Sequence, residues 1–430
     1  MNLQNKKITI LGFGKSGQAL AELVLGLGGQ VKISDKKTQA NMPEDLNSWV
    51  AEKKIEFEYG GHSASFIRES DLILLSPGVS FYTDVIKEAL AKGIPVLGEI
   101  EFAFQFCFKP VIAVTGSNGK TTVVNLIHRV LTEAGYKSCL CGNVGTPLAQ
   151  VVLKTEGVDF VVLEISSFQL ESLLDPHNRS SPLIGFKPHV AVLLNFSQNH
   201  LDRHKDLEEY FEAKKKIFLN QEARDFAVLN EEDDHLRGLD SSLKSKVVYF
   251  NADQSKRLTG RSNPNQAAVM AVAKVLGIRE EICRKVFRDF KGVEHRLEWV
   301  REVNGVYFIN DSKSTTTEAT RWALNSIDRP LIMICGGRDK NMDFSVLSEL
   351  IKLKVKKMIT IGEAKKKIKL TFDEFVDVIE CDLLETAVDK AQSFASPGDC
   401  ILLSPMCASY DMFLNFEERG KIFKQIVNRL

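Results

Sequence analysis

The sequence predicts an α/β protein with three domains: a Rossmann-like domain at about residues 1–100, a central P-loop ATPase-like domain with a parallel sheet at about 101–297, and a C-terminal Rossmann-like α/β domain at about 298–430. Short apolar segments with strand character alternate with amphipathic helical segments along the chain, as in parallel α/β folds. Two glycine-rich turns, at 12–17 and 116–119, each follow a predicted strand and precede a predicted helix. The length of 430 residues suits roughly three domains of ordinary size.

The composition argues against several classes of protein. Hydrophobic residues make up 44% and charged residues 26% of the chain, as is typical of globular proteins in water. The 56 basic and 56 acidic residues balance, so we expect no nucleic-acid partner. The eight cysteines form no CxxC pair or Cys/His cluster and predict reduced thiols in a cytoplasmic protein. No apolar run approaches the ~18 residues of a membrane span, and the first residues predict a strand rather than a signal peptide.

The segment 111–122, VIAVTGSNGKTT, organises the rest of the chain. A predicted strand leads into a glycine turn and the start of a helix, a geometry that lets backbone N–H groups and the helix N-terminus bind phosphate. Lys120 adds a full positive charge, and Thr121 offers a hydroxyl to Mg²⁺. The strict pattern GxxxxGK[ST] is not met, because Val114 stands where its first glycine belongs. An ordinary glycine-rich turn is therefore the alternative to a nucleoside triphosphate site.

A second glycine motif lies near the N-terminus. The predicted strand Lys7–Leu11 is followed by a GxGxxG turn that begins at Gly12 and ends at Gly17, and Asp35 follows the next strand. This is the dinucleotide-binding fingerprint and, taken alone, suggests NAD. Any diphosphate attached to a ribose, including a nucleotide sugar, would use the same turn. No hydride-transfer residues are recognisable beside it, so the motif predicts the fold more firmly than the ligand.

Polar residues follow the strands of the predicted central domain. Glu164 ends a buried strand and is a candidate Mg²⁺ ligand, with a solvent-exposed carboxylate as the alternative. His200 and Asp202 follow the strand at 190–195, on the same predicted edge. His204 and His235 lack such a context and are predicted at the surface. The basic run at 214–216 lies on a predicted helix, and composition alone favours a solvated face.

The remaining polar candidates lie at helix starts and strand ends further along the chain. Asn263 is a candidate N-cap of an Ala/Val-rich helix, and its amide could also reach a purine. In the last predicted domain the strand ends gather Asp311, Lys313, Lys340 and Ser409, which suit an anionic ligand. Residues 175–188 hold three prolines and predict an exposed loop.

Seven segments in order carry a resemblance to a known family. They are TGSNGKTT, LEISSFQLE, the stretch from Asn195 to Arg203, HR at 295–296, NDSKST, GGRDK and LLSPMCASYDMFLNFEERG. Together they resemble the Mur ligases over nearly the whole chain. The forms LEISSFQLE and SPMCAS…NFEERG favour the D-glutamate-adding members of that family over their siblings. The resemblance also implies that the GxGxxG turn binds a UDP moiety rather than NAD.

The resemblance implies an amide-forming reaction in cytoplasmic peptidoglycan precursor synthesis, and with it cell wall biogenesis, cell shape and division. ATP phosphorylates the terminal carboxylate of UDP-N-acetylmuramoyl-L-alanine. The amine of D-glutamate then attacks the acyl phosphate, and a tetrahedral intermediate gives the amide, ADP and phosphate. Two Mg²⁺ ions and cationic side chains offset the charge that builds on the transferred group. The resemblance further implies a monomer.

Site residues carried over by motif form four sets. The ATP set is Gly116, Ser117, Asn118, Gly119, Lys120, Thr121 and Thr122 for the phosphates, with Asn263, Arg296 and Asp311 for the rest of the nucleotide. The metal set is Thr121 and Glu164 for one Mg²⁺, and His200 with a carbamylated Lys214 for the second. The UDP-substrate set is Ser16, Gly17, Asp35, Ser76 and Asn143. The D-glutamate set is Lys313, Thr315, Lys340, Ser409 and Phe416. The implied catalytic residues are Lys120, Asn143, Glu164, His200 and Lys214.

Some residues depart from the family pattern. Ser262 and Gln266 replace the usual His and Asn near the adenine, and Lys36 and Lys37 replace the Thr-Arg expected after Asp35. Two alternatives therefore stay open. One is a sibling ligase that adds another amino acid, or a folylpolyglutamate-type ligase, which the diphosphate turn of the first domain disfavours. The other is a nucleotide-binding protein without catalysis, against which the intact lysine, glutamate and histidine positions argue.

Overall fold

A computed structural model describes residues 1–42, 44–143, 145–173, 184–198, 203–290, 292–339 and 342–430. Two parallel sheets and one mixed sheet alternate with helices, so the predicted α/β class is confirmed. The chain forms two compact units, Met1–Phe290 and Lys291–Leu430. The first unit contains two of the sheets, and the division into three domains stays a prediction.

The first sheet has the strand order β3-β2-β1-β4-β5, and all of its strands are parallel. Its strands are β1 (Lys7–Leu11), β2 (Gln30–Asp35), β3 (Glu56–Tyr59), β4 (Leu72–Leu75) and β5 (Val96–Gly98). Its helices are α1 (Lys15–Gly26), α2 (Glu44–Glu52), α3 (Ala64–Ile67), α4 (Asp84–Ala91) and α5 (Glu99–Phe104). The strand order reverses between β1 and β4, which is where open α/β sheets bind ligands.

The second sheet has the order β11-β10-β9-β6-β8-β7 and is also parallel. Its strands are β6 (Val111–Thr115), β7 (Ser138–Gly142), β8 (Phe160–Glu164), β9 (Val190–Leu193), β10 (Phe226–Asn230) and β11 (Lys246–Phe250). Its helices are α6 (Lys120–Glu133), α7 (Leu148–Val151), α8 (Ser167–Glu171), α9 (Leu207–Lys215), α10 (Asp253–Thr259), α11 (Pro264–Val275) and α12 (Glu280–Asp289). Every residue of β6 and β9 is buried, which explains why these strands are continuous apolar runs rather than alternating ones.

The second unit holds a sheet of order β12-β13-β17-β14-β15-β16, in which only the β12–β13 pair is antiparallel. Its strands are β12 (Glu298–Val303), β13 (Val306–Asn310), β14 (Leu331–Gly336), β15 (Val355–Ile361), β16 (Asp377–Glu380) and β17 (Cys400–Leu403). Its helices are α13 (Thr317–Ser326), α14 (Ser348–Lys354), α15 (Lys365–Phe372), α16 (Leu384–Phe394) and α17 (Phe416–Arg429). Among all the described helices of the chain, none has the length and apolar content to span a bilayer.

Candidate active site

The phosphate-binding turn has the predicted form. It runs from the end of β6 to the first residue of α6, Lys120. Gly116 has φ +150° and Gly119 has φ +86°, backbone conformations that side chains disfavour. Gly119 is the N-cap of α6 and has no side chain to cap it. The first N–H groups of the helix can therefore face an anion, as in other phosphate-binding turns.

Two lysine side chains bond the same backbone carbonyl in this turn. The Lys120 Nζ lies 2.7 Å from Gly116 O and 3.1 Å from Ser117 O. The Lys214 Nζ lies 3.0 Å from Gly116 O and 4.6 Å from the centre of the Tyr210 ring. Lys214 is almost fully buried, so the solvated face expected from composition is wrong for this residue. Burial, with a smaller effect of the Lys120 charge, lowers the pKa of the Lys214 amine well below its usual range.

The strand ends of the second sheet bring three predicted residues together. The Thr121 hydroxyl donates to Glu164 Oε2 at 2.7 Å, and the Asn143 amide donates to Glu164 Oε1 at 3.0 Å. Glu164 is 2% exposed, so the alternative of a carboxylate in solvent is wrong. A Cβ on Gly142 would lie 2.1 Å from the Glu164 carbonyl oxygen, and glycine is therefore required for β7 and β8 to approach here. Hydroxyl and carboxylate oxygens on one edge are ligands that suit Mg²⁺.

Other side chains complete this edge of the sheet. The Ser117 hydroxyl donates to Ser197 O at 3.0 Å and lies 3.3 Å from the Tyr210 hydroxyl, whose pKa burial raises to about 12. The Asn118 N–H donates to Asn195 Oδ1 at 2.9 Å. Thr122 is the third residue of α6. These bonds tie the phosphate turn to the segment after β9.

Three histidines received sequence predictions. His200 and Asp202 lie at 199–202, outside the described residues. His235 is exposed, as predicted. The prediction that His204 lies at the surface is wrong, because its ring is buried between Ser167, whose Oγ is 3.1 Å from Nε2, and Tyr210. Burial lowers the pKa of the His204 imidazole, which favours the neutral ring.

Asn263 caps α11, as predicted: its Oδ1 accepts from Asn265 N at 3.0 Å and from Gln266 N at 3.2 Å. The sequence analysis missed Asn265. A Cβ on Gly119 would lie 2.3 Å from Asn265 Oδ1, so this amide lies against the phosphate turn. The sequence signal that could have indicated Asn265 is its position in the first turn of a helix whose N-cap, Asn263, was predicted.

The GxGxxG turn is closely packed. Gly12 has φ +87°, and a Cβ on Gly17 would lie 2.0 Å from Gly12 O, so α1 approaches the turn as the fingerprint requires. Asp35 accepts from Phe13 N at 2.6 Å and from Lys37 N at 2.8 Å. A Cβ on Gly12 would lie 3.0 Å from the Cβ of Ser76, which follows β4. Ser16 is half-buried in the first turn of α1.

In the second unit the loop after β13 carries several predicted residues. Asp311 is buried and accepts from Ser314 Oγ at 2.5 Å, Ser404 Oγ at 3.1 Å and Leu297 N at 3.1 Å. Burial raises the pKa of the Asp311 carboxyl to about 6, and the nearby charge of Arg296 acts in the opposite direction.

Of the residues predicted to bind D-glutamate, the structure describes all but one. The Lys313 ammonium lies 5.1 Å from the centre of the Phe416 ring. The Thr315 N–H donates to Lys313 O at 2.9 Å, and Ser409 is buried. Lys340 lies outside the described residues.

Arg419 is a residue that the sequence analysis missed. It is fully buried on α17, and its guanidinium donates to Ser312 Oγ at 3.0 Å, Ser312 O at 2.9 Å and Cys407 O at 3.3 Å. Burial lowers its pKa to about 10. The Ser312 hydroxyl in turn donates to Phe416 O at 2.8 Å. Arg419 therefore joins the segments NDSKST, SPMCAS and NFEERG, and its place within the last of these was the only sequence signal.

A possible metal cluster in this unit is better explained as an ion-pair network. Ligand atoms of Glu294, His295 and Glu298 lie within 4.8 Å of one another. The Lys424 ammonium contacts both carboxylates, at 2.5 Å and 2.8 Å. Asn310 Nδ2 lies 2.9 Å from His295 Nδ1. The Lys424 side chain thus already supplies a positive charge to both carboxylates.

Three family models match the chain in succession. They are the Mur ligase MurD-like N-terminal domain at residues 6–98, the Mur ligase middle domain at 114–283, and the Mur ligase glutamate ligase domain at 295–407. The chain is also similar over its whole length to curated members of this family. It therefore belongs to the Mur ligase family, and the resemblance stated from its motifs is confirmed.

Among those relatives, the UDP-N-acetylmuramoylalanine–D-glutamate ligase of Thermoanaerobacter sp. (strain X514) is 38% identical over 100% of both chains. The enzyme of the same name from Koribacter versatilis (strain Ellin345) is 37% identical over 100% of this chain and 99% of its own. MurF ligase from Thermotoga maritima, solved with ADP, superposes with a TM-score of 0.61 at 16% identity and covers 100% of this chain and 96% of its own. At that identity the structure shows a shared fold.

Proposed function

We propose that this protein is an ATP-dependent ligase that adds D-glutamate to UDP-N-acetylmuramoyl-L-alanine in peptidoglycan precursor synthesis. The observation that carries the proposal is the cluster of Thr121, Asn143 and Glu164 beside a phosphate turn with two lysines. The names of relatives 36–38% identical over essentially the whole chain supply the amino acid and the acceptor.

The proposed reaction needs ATP because a carboxylate has no good leaving group. Its oxygen cannot leave as oxide, so an amine cannot displace it directly. Transfer of the γ-phosphoryl group of ATP to the L-alanyl carboxylate releases ADP and creates a leaving group. The amine of D-glutamate then attacks the carbonyl carbon, loses a proton and expels phosphate. In this scheme the Lys120 ammonium exchanges its two backbone carbonyls for phosphate oxygens and stabilises the charge of the transferred group.

Mur ligases use ATP and Mg²⁺, and the oxygen ligands at the end of β8 suit that ion. Thr121 and Glu164 would hold one Mg²⁺, which when bound neutralises phosphate charge. His200 and Lys214 would hold the second. We propose that Lys214 does so as a carbamate: its buried amine is poised to be uncharged, and a neutral amine adds CO₂ with loss of a proton. The product is an anion that can bind a metal, which an ammonium cannot.

The other roles extend the same proposal. Ser16, Gly17, Asp35 and Ser76 would bind the UDP part of the acceptor, and Asn143 the end nearer the reaction. Asn263, Arg296 and Asp311 would bind the nucleoside side of ATP. Lys313, Thr315, Lys340, Ser409 and Phe416 would bind D-glutamate, whose two carboxylates suit lysine ammonium groups. We further propose three domains with the predicted boundaries, a monomer and a cytoplasmic location.

A phosphate-release assay tests the proposal and its alternatives. The purified protein is given ATP, Mg²⁺ and UDP-N-acetylmuramoyl-L-alanine, with D-glutamate, L-glutamate, L-alanine or meso-diaminopimelate in separate reactions. We expect phosphate release in the reaction that contains D-glutamate and in none of the other three. Release with another amino acid but not D-glutamate would identify a sibling ligase. Nucleotide binding without release in any reaction would indicate a protein without this catalysis.

A further inference from the structure

Arg203 connects the two sheets of the first unit. Its Nη1 donates to Gly78 O at 3.2 Å and its Nη2 to Val79 O at 3.1 Å, and both carbonyls belong to the turn after β4. The same guanidinium donates to Glu171 of α8, with 2.8 Å between Nη2 and Oε2 and 3.4 Å between Nε and Oε1. One side chain thus joins the turn after β4 to the helix that follows Glu164.

The contacts on the α8 side fix the direction of the guanidinium. Glu171 is 3% exposed, and the Arg203 side chain only 15%. The Arg203 guanidinium carbon lies over the Phe168 ring, 4.9 Å from its centre, at a distance typical of a cation–π contact. A planar group held by a carboxylate on two nitrogens and by an aromatic face has little freedom left. Its remaining donors therefore point at fixed positions, which the carbonyls of Gly78 and Val79 occupy.

The turn that Arg203 holds forms one wall of the predicted substrate crevice. It packs against the GxGxxG turn so closely that a Cβ on Gly12 would lie 2.8 Å from Val79 Cγ2. The two turns follow β1 and β4, where the strand order of the first sheet reverses. Residues of the held turn and of α8 also line a common pocket; they include Ser76, Val79, Phe168, Gln169 and Glu171. The held turn therefore lies beside the GxGxxG turn, at the end of the sheet where a nucleotide diphosphate would bind.

We propose that Arg203 is a positioning residue for the nucleotide-sugar acceptor: it holds the Gly78–Val79 turn in place and so governs affinity for that substrate rather than for ATP. This inference rests on the proposed function, because the turn is assigned to the UDP substrate there. Arg203 acts through the turn and through Glu171 and takes no part in the chemical step. Loss of its bonds would deprive the buried Glu171 carboxylate of its arginine partner and release the Gly78 and Val79 carbonyls from this anchor, which would let the turn move.

The test compares Arg203→Met and Arg203→Lys with the parent protein. Steady-state kinetics are measured for each substrate in turn, and binding of UDP-N-acetylmuramoyl-L-alanine without ATP is measured by calorimetry. For Arg203→Met we expect KM and Kd for the acceptor to rise about tenfold or more, the scale of one lost hydrogen bond to a charged group. KM for ATP and kcat should stay within about threefold. For Arg203→Lys we expect acceptor KM and Kd values between those of the parent and those of Arg203→Met. A single ammonium group cannot bond the carboxylate and both carbonyls together.

Controls separate positioning from general damage. Arg288→Met removes an exposed arginine of the same unit, whose side chain pairs with its neighbour Asp289, and should change nothing. An Arg203→Met protein that melts at the parent temperature with an unchanged acceptor KM and Kd would overturn the inference. Equal rises in KM for ATP and acceptor would also overturn it. If the parent protein binds the acceptor but forms no product, the proposed function fails while the calorimetry still decides the role of Arg203; if the parent binds no acceptor, both fail.

Discussion

Lys120 and Lys214 direct their side-chain nitrogens at the same carbonyl oxygen, that of Gly116, over distances of 2.7 Å and 3.0 Å. Two ammonium groups this close repel each other, and Lys214 is the fully buried one. Burial and the nearby Lys120 charge both lower the pKa of the Lys214 amine and so favour its uncharged form. The two lysines thus carry different chemistry although they share an acceptor.

Replacement of Lys214 tests this difference. We expect Lys214→Ala to lose a hundredfold or more of the phosphate-release rate, on the order of the cost of one preorganised charge-stabilising group. Acetate or formate at high concentration should restore part of the rate, since a small carboxylate can occupy the place of the carbamate.

The neighbouring Lys215 supplies a matched control. Its ammonium pairs with Glu212 three residues earlier on α9, so Lys215→Ala should keep the parent rate within about twofold, because such surface pairs contribute little. A Lys214→Ala enzyme with full activity, or one that acetate cannot rescue, would contradict a metal-binding carbamate.

Lys120 is expected to act on the transferred phosphoryl group itself. Its removal in Lys120→Ala should lower kcat on the order of a thousandfold, which corresponds to about 4 kcal/mol of transition-state stabilisation. Thermal unfolding should be little changed, because the Lys120 ammonium is half-buried and bonds backbone carbonyls of the phosphate turn. The exposed Lys154 gives the comparison, and Lys154→Ala should behave as the parent. Undiminished turnover of Lys120→Ala would refute the assignment of this turn to ATP.

Alanine substitutions at two glycines with positive φ, Gly135 and Gly142, distinguish the effect of backbone strain from the effect of close packing. Gly142 (φ +117°) would place a Cβ 2.1 Å from the Glu164 carbonyl oxygen, whereas a Cβ on Gly135 (φ +88°) would meet nothing within 4 Å. Gly135→Ala should cost about 1 kcal/mol of stability and leave kcat intact. Gly142→Ala should also displace Asn143 from Glu164 and lower kcat at least tenfold beyond any loss of stability. Equal kcat values in the two variants, measured beside their urea unfolding curves, would show that close approach at Gly142 is not needed.

The parts of the fold that could be predicted depend on residues near one another in sequence. The turns at Gly12 and Gly116 and their flanking strands were predictable because glycine conformation and apolar runs are local signals. His204 and Arg419 were not. The His204 ring is buried by Ser167, 37 residues away, and Arg419 bonds Ser312, 107 residues away. A polar side chain looks solvated in sequence until its distant partners are known.

In the candidate site, too, some residues could be predicted from the sequence and others could not. Glu164 was expected beside the phosphate turn, and so near Thr121, because it lies at the carboxyl end of a strand in the same parallel sheet, whose strand ends share an edge. Asn143 was indicated only by the family resemblance, as a contact to the acceptor. The burial of Lys214 could not be predicted from a helix with three consecutive lysines, because it depends on how α9 packs against the phosphate turn. Here the family resemblance supplied what periodicity could not.

Glu99 provides a pH-dependent test of the packing between the two sheets of the first unit. It begins α5 and accepts from Ala149 N at 2.9 Å and from Gln169 Nε2 at 3.4 Å. Burial raises the pKa of its carboxyl from 4.5 to about 7. Between these values the folded state binds more protons than the unfolded state. The stabilisation from this group is therefore full below about pH 4.5 and is lost as the pH rises through 7.

Glu99→Gln removes the titration while keeping the shape of the side chain. The free energy of unfolding of the variant minus that of the parent should become more positive from pH 4.5 to pH 8, by up to about 3 kcal/mol. The constant cost of placing an amide beside Gln169 cancels in this comparison, since it does not change with pH. Urea unfolding of both proteins at several pH values measures the difference. A flat difference across that range would mean that the Glu99 carboxyl ionises as in water, and that the contact between α5 and α7 admits solvent.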